Sequence, residues 1–153
     1  MERESEEREM DAESLGSKVS EEFWEQSSNR LQDAEAAGVM RELFDHIVDN
    51  LAARLDDIKA QDGRTISFFS SGREILTINV TKVNLRIYIH PLAGAFFGPN
   101  EDFRVERFSL WEGSFQKKSG KYRGMSVWIS ERRYLSGVEA LIGRVRKTRE
   151  EET

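Results

Sequence analysis

The sequence predicts an α+β fold, a mostly antiparallel sheet of about five strands with helices packed on one face. Three observations carry that expectation. Val39, Met40, Leu43, Phe44, Ile47, Val48, Leu51, Leu55 and Ile58 fall on the i, i+3, i+4, i+7 spacing of an amphipathic helix over Ala37–Ala60. Leu76, Ile78 and Val80, then Val83, Leu85, Ile87 and Ile89, alternate with polar residues, as two half-buried strands of a hairpin do. Tyr134, Leu135, Val138, Leu141, Ile142 and Val145 make a second helical stripe.

In chain order, residues 1–19 carry seven acids with few apolar residues and no period, which predicts an acidic, disordered leader before a single domain over 20–148. Ser20-Glu-Glu-Phe reads as a capped helix start, and Phe23, Trp24 and Leu31 give that helix an apolar side that must dock somewhere. The long helix ends at Gln61-Asp62-Gly63, with glycine just past the last periodic residue. Arg64–Ser70 is the first strand, and Ser71-Gly72 turns it into the hairpin.

Taking Thr81-Lys82 as a two-residue loop pairs Val80 with Val83, Ile78 with Leu85 and Leu76 with Ile87 on the core side. The same register puts Asn79 against Asn84, Thr77 against Arg86, Ile75 against Tyr88 and Arg73 against His90 on the other side. Pro91 stops the ladder. Leu92–Asp102 is a loop holding Phe96 and Phe97; loops that hold aromatics are tucked lids or binding surfaces. Phe103–Trp111 reads as a fourth strand with a bulge near Arg107-Phe108, Glu112–Tyr122 as turns with a short edge hairpin, and Arg123–Ile129 as a fifth strand. Ser130 caps the last helix, in which Gly137 and Gly143 mark close approach to a neighbour, and residues 149–153 form a charged tail.

Composition limits the functions available. With no cysteine there are no disulfides, thiolate nucleophiles or Cys-based zinc sites, and the default localisation is cytoplasmic. No apolar run nears the roughly 20 residues that span a bilayer, so no membrane partner is expected. The acidic N-terminus is the opposite of a signal or transit peptide. The net charge of −5 hides an asymmetry: residues 1–63 carry 18 acidic and 7 basic side chains, residues 64–148 carry 7 and 15. Either the basic part meets nucleic acid or another polyanion, or two surfaces of opposite sign pack together.

Leu43–Leu55, the strand pair closing on Leu85-Arg-Ile-Tyr-Ile-His90, the strand from Gly120 to Ile129 and the helix holding Leu141-Ile142 together resemble small bacterial α+β domains of unknown function. Some of those are labelled predicted transport proteins, and some accompany restriction-modification genes. The resemblance spans roughly Met40 to Lys147 and implies a fold; it carries over no active site.

The candidate binding residues are Arg73, Arg86, Tyr88 and His90 on the polar side of the hairpin, Trp128 from the last strand, and Phe96 and Phe97 in the loop. Guanidinium and aromatic groups on one surface can neutralise an anion and stack a ring, and the same residues also serve as cross-strand pairs of a solvated face. A nucleic-acid surface would instead draw on Arg73, Arg86, Arg104, Arg107, Lys117, Lys118, Lys121 and Arg123. No catalytic residue is assigned: hydrolase elbow, phosphate loop, dinucleotide and metalloprotease patterns are all missing from the sequence. The acids Asp102, Glu106 and Glu112 with Lys117 are too loosely spaced for a nuclease cluster, and Ser70-Ser-Gly-Arg73 is a hairpin turn before it is an anion site. Nothing brings His46 and His90 to one metal, so neither cofactor nor metal is expected. Three functions remain open: a non-catalytic binding or accessory module that meets another protein or a second copy, as in a homodimer, through the sheet face; a nucleic-acid-associated protein; and a small-molecule enzyme with a pocket near His90.

Overall fold

The computed structural model describes residues 13–152 except 112, 114 and 119, and side chains only as far as Val145. The chain folds as α1 (residues 13–17), α2 (Glu21–Arg30), α3 (Ala34–Leu51), strands β1 (Asp57–Gln61), β2 (Thr65–Ser70), β3 (Arg73–Val80), β4 (Leu85–Ile89), β5 (Arg107–Leu110), β6 (Phe115–Gln116), β7 (Lys121–Tyr122) and β8 (Met125–Ile129), and finally α4 (Leu135–Glu152). Six strands form one antiparallel sheet in the order β1-β2-β3-β4-β8-β5, and β6 pairs with β7 as a separate hairpin. The architecture is the α+β layer that the periodicities predict, with one strand more.

The extra strand is β1, which the helical spacing of Leu55 and Ile58 disguised. Asp62 and Gly63 both take positive φ, +56° and +66°, and that tight turn folds residues 57–61 back onto β2, pairing Ile58 with Phe68 and Ala60 with Ile66. The helix therefore stops at Leu51 instead of continuing to Ala60. Gly63 is required twice over, because a Cβ there would lie 2.6 Å from the Gln26 side chain of α2.

The helices and the inner sheet face enclose a core in which Met40, Leu43, Ile47, Leu51, Ile66, Phe68, Leu76, Ile78, Leu85, Ile87, Val127 and Ile142 are fully buried. Ser20 caps α2 by accepting from Phe23 N at 3.1 Å, and Trp24 packs edge-on to Phe44, whose ring meets Phe68. The aromatic pair of α2 is thus spent on the core. Leu15 and Val19 are buried as well, so the unpacked leader expected over residues 1–19 does not extend to 13–19; residues 1–12 lie outside the described residues. At the other end the backbone of the expected charged tail continues α4 to Glu152.

The central hairpin turns one residue later than expected. Thr81 and Asn84 face each other, with Thr81 N donating to Asn84 O at 3.0 Å and Asn84 N to Thr81 Oγ1 at 3.0 Å, so Lys82-Val83 forms the tip. Val80 then pairs with Leu85, Asn79 with Arg86, Ile78 with Ile87, Thr77 with Tyr88 and Leu76 with Ile89. Moving the turn by one residue shifts the register by two, so the paired side chains of Leu76–Val80 and Leu85–Ile89 keep their faces. Val83 alone loses its predicted place in the core and is 70% exposed.

Candidate functional site

The outer face of the sheet, opposite the core, is built by the polar half of each strand's alternation. One row across it runs Thr65, Asn79, Arg86, Trp128, Arg107, and the next runs Ser67, Thr77, Tyr88, Ser126, Ser109. Of these only Ser126 is buried, while Thr65, Ser67, Thr77, Asn79, Arg86, Tyr88 and Trp128 are half-buried, their rings and stems lying against one another.

A line of stacked groups crosses this face. The Arg86 guanidinium lies 4.5 Å from the Tyr88 ring centre and 4.6 Å from that of Trp128, and Arg107 lies 4.4 Å from Trp128 on its far side, since β8 runs between β4 and β5. Trp128 thus carries a guanidinium from each of its neighbouring strands against its ring. Tyr88 has Arg86 on one side and His90 stacked on the other at 6.4 Å, and His90 meets Trp111 edge-on at 5.4 Å. Among the described residues no carboxylate pairs with Arg86 or Arg107, and Arg86 Nε is buried without a hydrogen-bond partner.

His90 ends the line in a local relay. The Thr77 hydroxyl donates its single proton to Glu74 Oε1, so the 3.0 Å contact between Thr77 Oγ1 and His90 Nε2 is a bond donated by His90. Burial pushes the His90 imidazole below its usual pKa, with the Glu74 carboxylate pulling the other way. Its ring nitrogen is committed to Thr77 and its ring lies between Tyr88 and Trp111.

The structure brings Arg86, Tyr88, His90 and Trp128 together as the alternation predicts, and it moves others. Arg73 does not join them: the register slips between Phe68 and Phe69, which pair with Leu76 and Glu74, leaving Ile75 as the extra residue of a bulge. Ile75 is buried beside Leu76, its carbonyl accepts from His90 N at 3.0 Å, and it is the Glu74 carboxylate, not Arg73, that comes within 3.9 Å of the His90 ring. Phe97 is a core residue with no exposure, held by paired backbone bonds of 2.8 Å to Tyr122; Phe96 beside it is 37% exposed. That loop is clasped by Arg144, whose two terminal nitrogens bond both oxygens of Glu101 at 2.9 and 2.6 Å while Glu101 also accepts from Gly98 N. The paired guanidinium holds the Glu101 carboxyl below its ordinary range.

Of the cationic set, Arg104 pairs with Asp102 in the loop before β5, Arg107 joins the stacked line, and Lys117, Lys118, Lys121 and Arg123 are exposed on and beside the β6–β7 hairpin. His46 pairs with Glu139 across α3 and α4 at 2.8 Å. Trp111 went unnoticed as a site residue, although its spacing two and four residues beyond Ser109 and Arg107 puts it on the same face. Its indole N–H donates to Ser126 Oγ at 3.3 Å.

Comparison with known proteins finds no matching family model, no matching curated protein and no matching solved structure.

Proposed function

We propose that the chain is a non-catalytic binding module whose outer sheet face docks an acidic segment of another protein. The observation that carries this reading is the pair Arg86 and Arg107, two guanidiniums held in place by Trp128 and Tyr88 with no carboxylate of their own among the described residues. Stacking fixes their planes and leaves their terminal N–H groups, though not the buried Arg86 Nε, to meet carboxylates in a charge-assisted geometry. With Tyr88 and Trp128 beside them they make up the three residue types, Arg, Tyr and Trp, that concentrate binding energy at protein interfaces.

Two rival occupants fit less well. A nucleic-acid strand would stack its bases on open rings, whereas Trp128 already carries two guanidiniums and Tyr88 has one guanidinium and the His90 ring beside it. A second copy docking through this face would have to bring carboxylates from elsewhere on its surface to Arg86 and Arg107, because none lies beside them on the face itself among the described residues. An enzyme reading needs His90 presented to a substrate, and its ring is instead bonded to Thr77 and packed on Trp111.

Titration of the full chain with a short polyglutamate peptide, followed by tryptophan fluorescence, tests the proposal. Saturable binding that weakens with salt and is lost in R86Q/R107Q is expected. Equal binding by the variant overturns it, as does an absence of peptide binding alongside oligonucleotide binding that R86Q/R107Q abolishes. Peptide binding that emerges only after removal of residues 1–12 assigns the face to the chain's own acidic leader instead.

A further inference from the structure

The β6–β7 hairpin is not absorbed by the sheet face. It leaves the sheet after Leu110 of β5 and returns at Met125 of β8, and Trp111 N closes its base on Gly124 O at 3.3 Å. Tyr122 and Phe97 exchange two backbone bonds, so the stem is tied to the body through a core residue. Between Phe115 and Arg123 the sequence holds Lys117, Lys118, Lys121 and Arg123 and no acid. All four cations are exposed. Lys117, Lys118 and Arg123 form no ion pair among the described residues, while Lys121 feels the Glu101 carboxylate.

Aromatic surface lies beside these charges. Phe115 is 42% exposed, with one side of its ring against Tyr122 at 4.8 Å, and Phe96 flanks the same stem through the Phe97–Tyr122 bridge. Phe115 is thus an exposed ring beside exposed cations. The arrangement also separates two kinds of polyanion. A membrane-inserting loop carries its rings at the tip and its cations behind, whereas here Lys117 and Lys118 occupy the turn between β6 and β7, and Lys121 sits on the stem beside the rings of Phe115 and Tyr122. That order suits a strand whose phosphates meet the tip while a base rests on the stem.

We infer that the β6–β7 hairpin is a contact element for single-stranded nucleic acid, with Lys117, Lys118, Lys121 and Arg123 on phosphates and the exposed ring of Phe115 on a base. It is a surface distinct from the one that Arg86 and Arg107 form, and each can fail without the other.

Fluorescence anisotropy of the full chain with a labelled single-stranded oligonucleotide, as DNA and as RNA, tests it across a salt series. Four phosphate contacts give a slope of log affinity on log salt of about −3, and K117Q/K118Q/K121Q reduces that slope by about 2. Phe115→Leu weakens binding roughly tenfold without changing the slope, because it removes a ring and no charge. Lys82→Gln, an exposed cation on the β3–β4 turn, serves as the unaffected control. Absence of oligonucleotide binding overturns the inference, as does binding that the triple variant leaves intact. Sedimentation with phosphatidylserine vesicles in place of oligonucleotide binding overturns it in favour of a lipid surface, and equal affinity for a duplex removes the base from the account.

Discussion

Replacing Arg86 with methionine separates what this side chain does for the fold from what it does for a partner. The guanidinium gains from two rings, at 4.5 and 4.6 Å, contacts worth about 0.5–1 kcal/mol each at a partly solvated site. Against that gain stands Nε, buried with no hydrogen-bond partner, a desolvation cost of about 1–3 kcal/mol. Methionine keeps the unbranched stem between Tyr88 and Trp128, retains a favourable sulfur–ring contact and removes the stranded donor. The opposing effects leave R86M within about 1 kcal/mol of the parent, a midpoint shift of roughly 2–4 °C for a chain of this size. Trp128→Ala, which strips the ring from both Arg86 and Arg107, costs at least about 2 kcal/mol. Urea unfolding followed by far-ultraviolet circular dichroism reads both, and the polyglutamate titration reads binding on the same samples. If R86M loses more than about 2 kcal/mol at unchanged m-value, the guanidinium is there for the sheet and the argument from an unpaired cation collapses. If R86M is stable and still binds the peptide, the face is not the docking site.

Three further outcomes follow from particular contacts. The His90 imidazole sits below its ordinary pKa of 6.5, so the unfolded chain takes up its proton first and stability falls as pH drops below that value toward the folded one; His90→Phe flattens that part of a urea-midpoint profile against pH, and an unchanged profile refutes the burial account. A Cβ on Gly137 would lie 2.4 Å from the Phe103 and Arg104 carbonyl oxygens, so Gly137→Ala destabilises by roughly 1–3 kcal/mol, whereas Gly143→Ala, with open space around it, gains up to about 1 kcal/mol of helix propensity; equal effects by thermal melts contradict the packing of α4 on that loop. Val83→Asp changes stability by no more than about 0.5 kcal/mol because Val83 is at the exposed hairpin tip, while the register with Thr81-Lys82 as the turn makes the same change severe.

The inner and outer faces of β3 and β4 were legible because parity survives a turn displaced by one residue: Tyr88 stays outside and Ile87 inside whether Val80 pairs with Val83 or with Leu85. The position of Arg73 was not, since a bulge reverses parity, and the one at Ile75 shows only in the pairing of β3 with β2, where Phe68 meets Leu76 and Phe69 meets Glu74. β1 failed for a related reason. Leu55 and Ile58 suit a helix and a strand equally, and the decision belongs to Asp62-Gly63, a pair that serves as a helix stop or a hairpin turn until the chain on its far side is placed. The stacked line on the outer face depends on both levels at once. Alternation along each strand selects Arg86, Tyr88, Trp128, Arg107 and Trp111, but only the order β4-β8-β5 puts Trp128 between two arginines. A sheet with β5 beside β3 would have left the same residues on the same face with the indole open to a base. Strand order, invisible to any local pattern, is therefore what turns a generic aromatic and basic surface into one that presents guanidinium edges and withholds its rings.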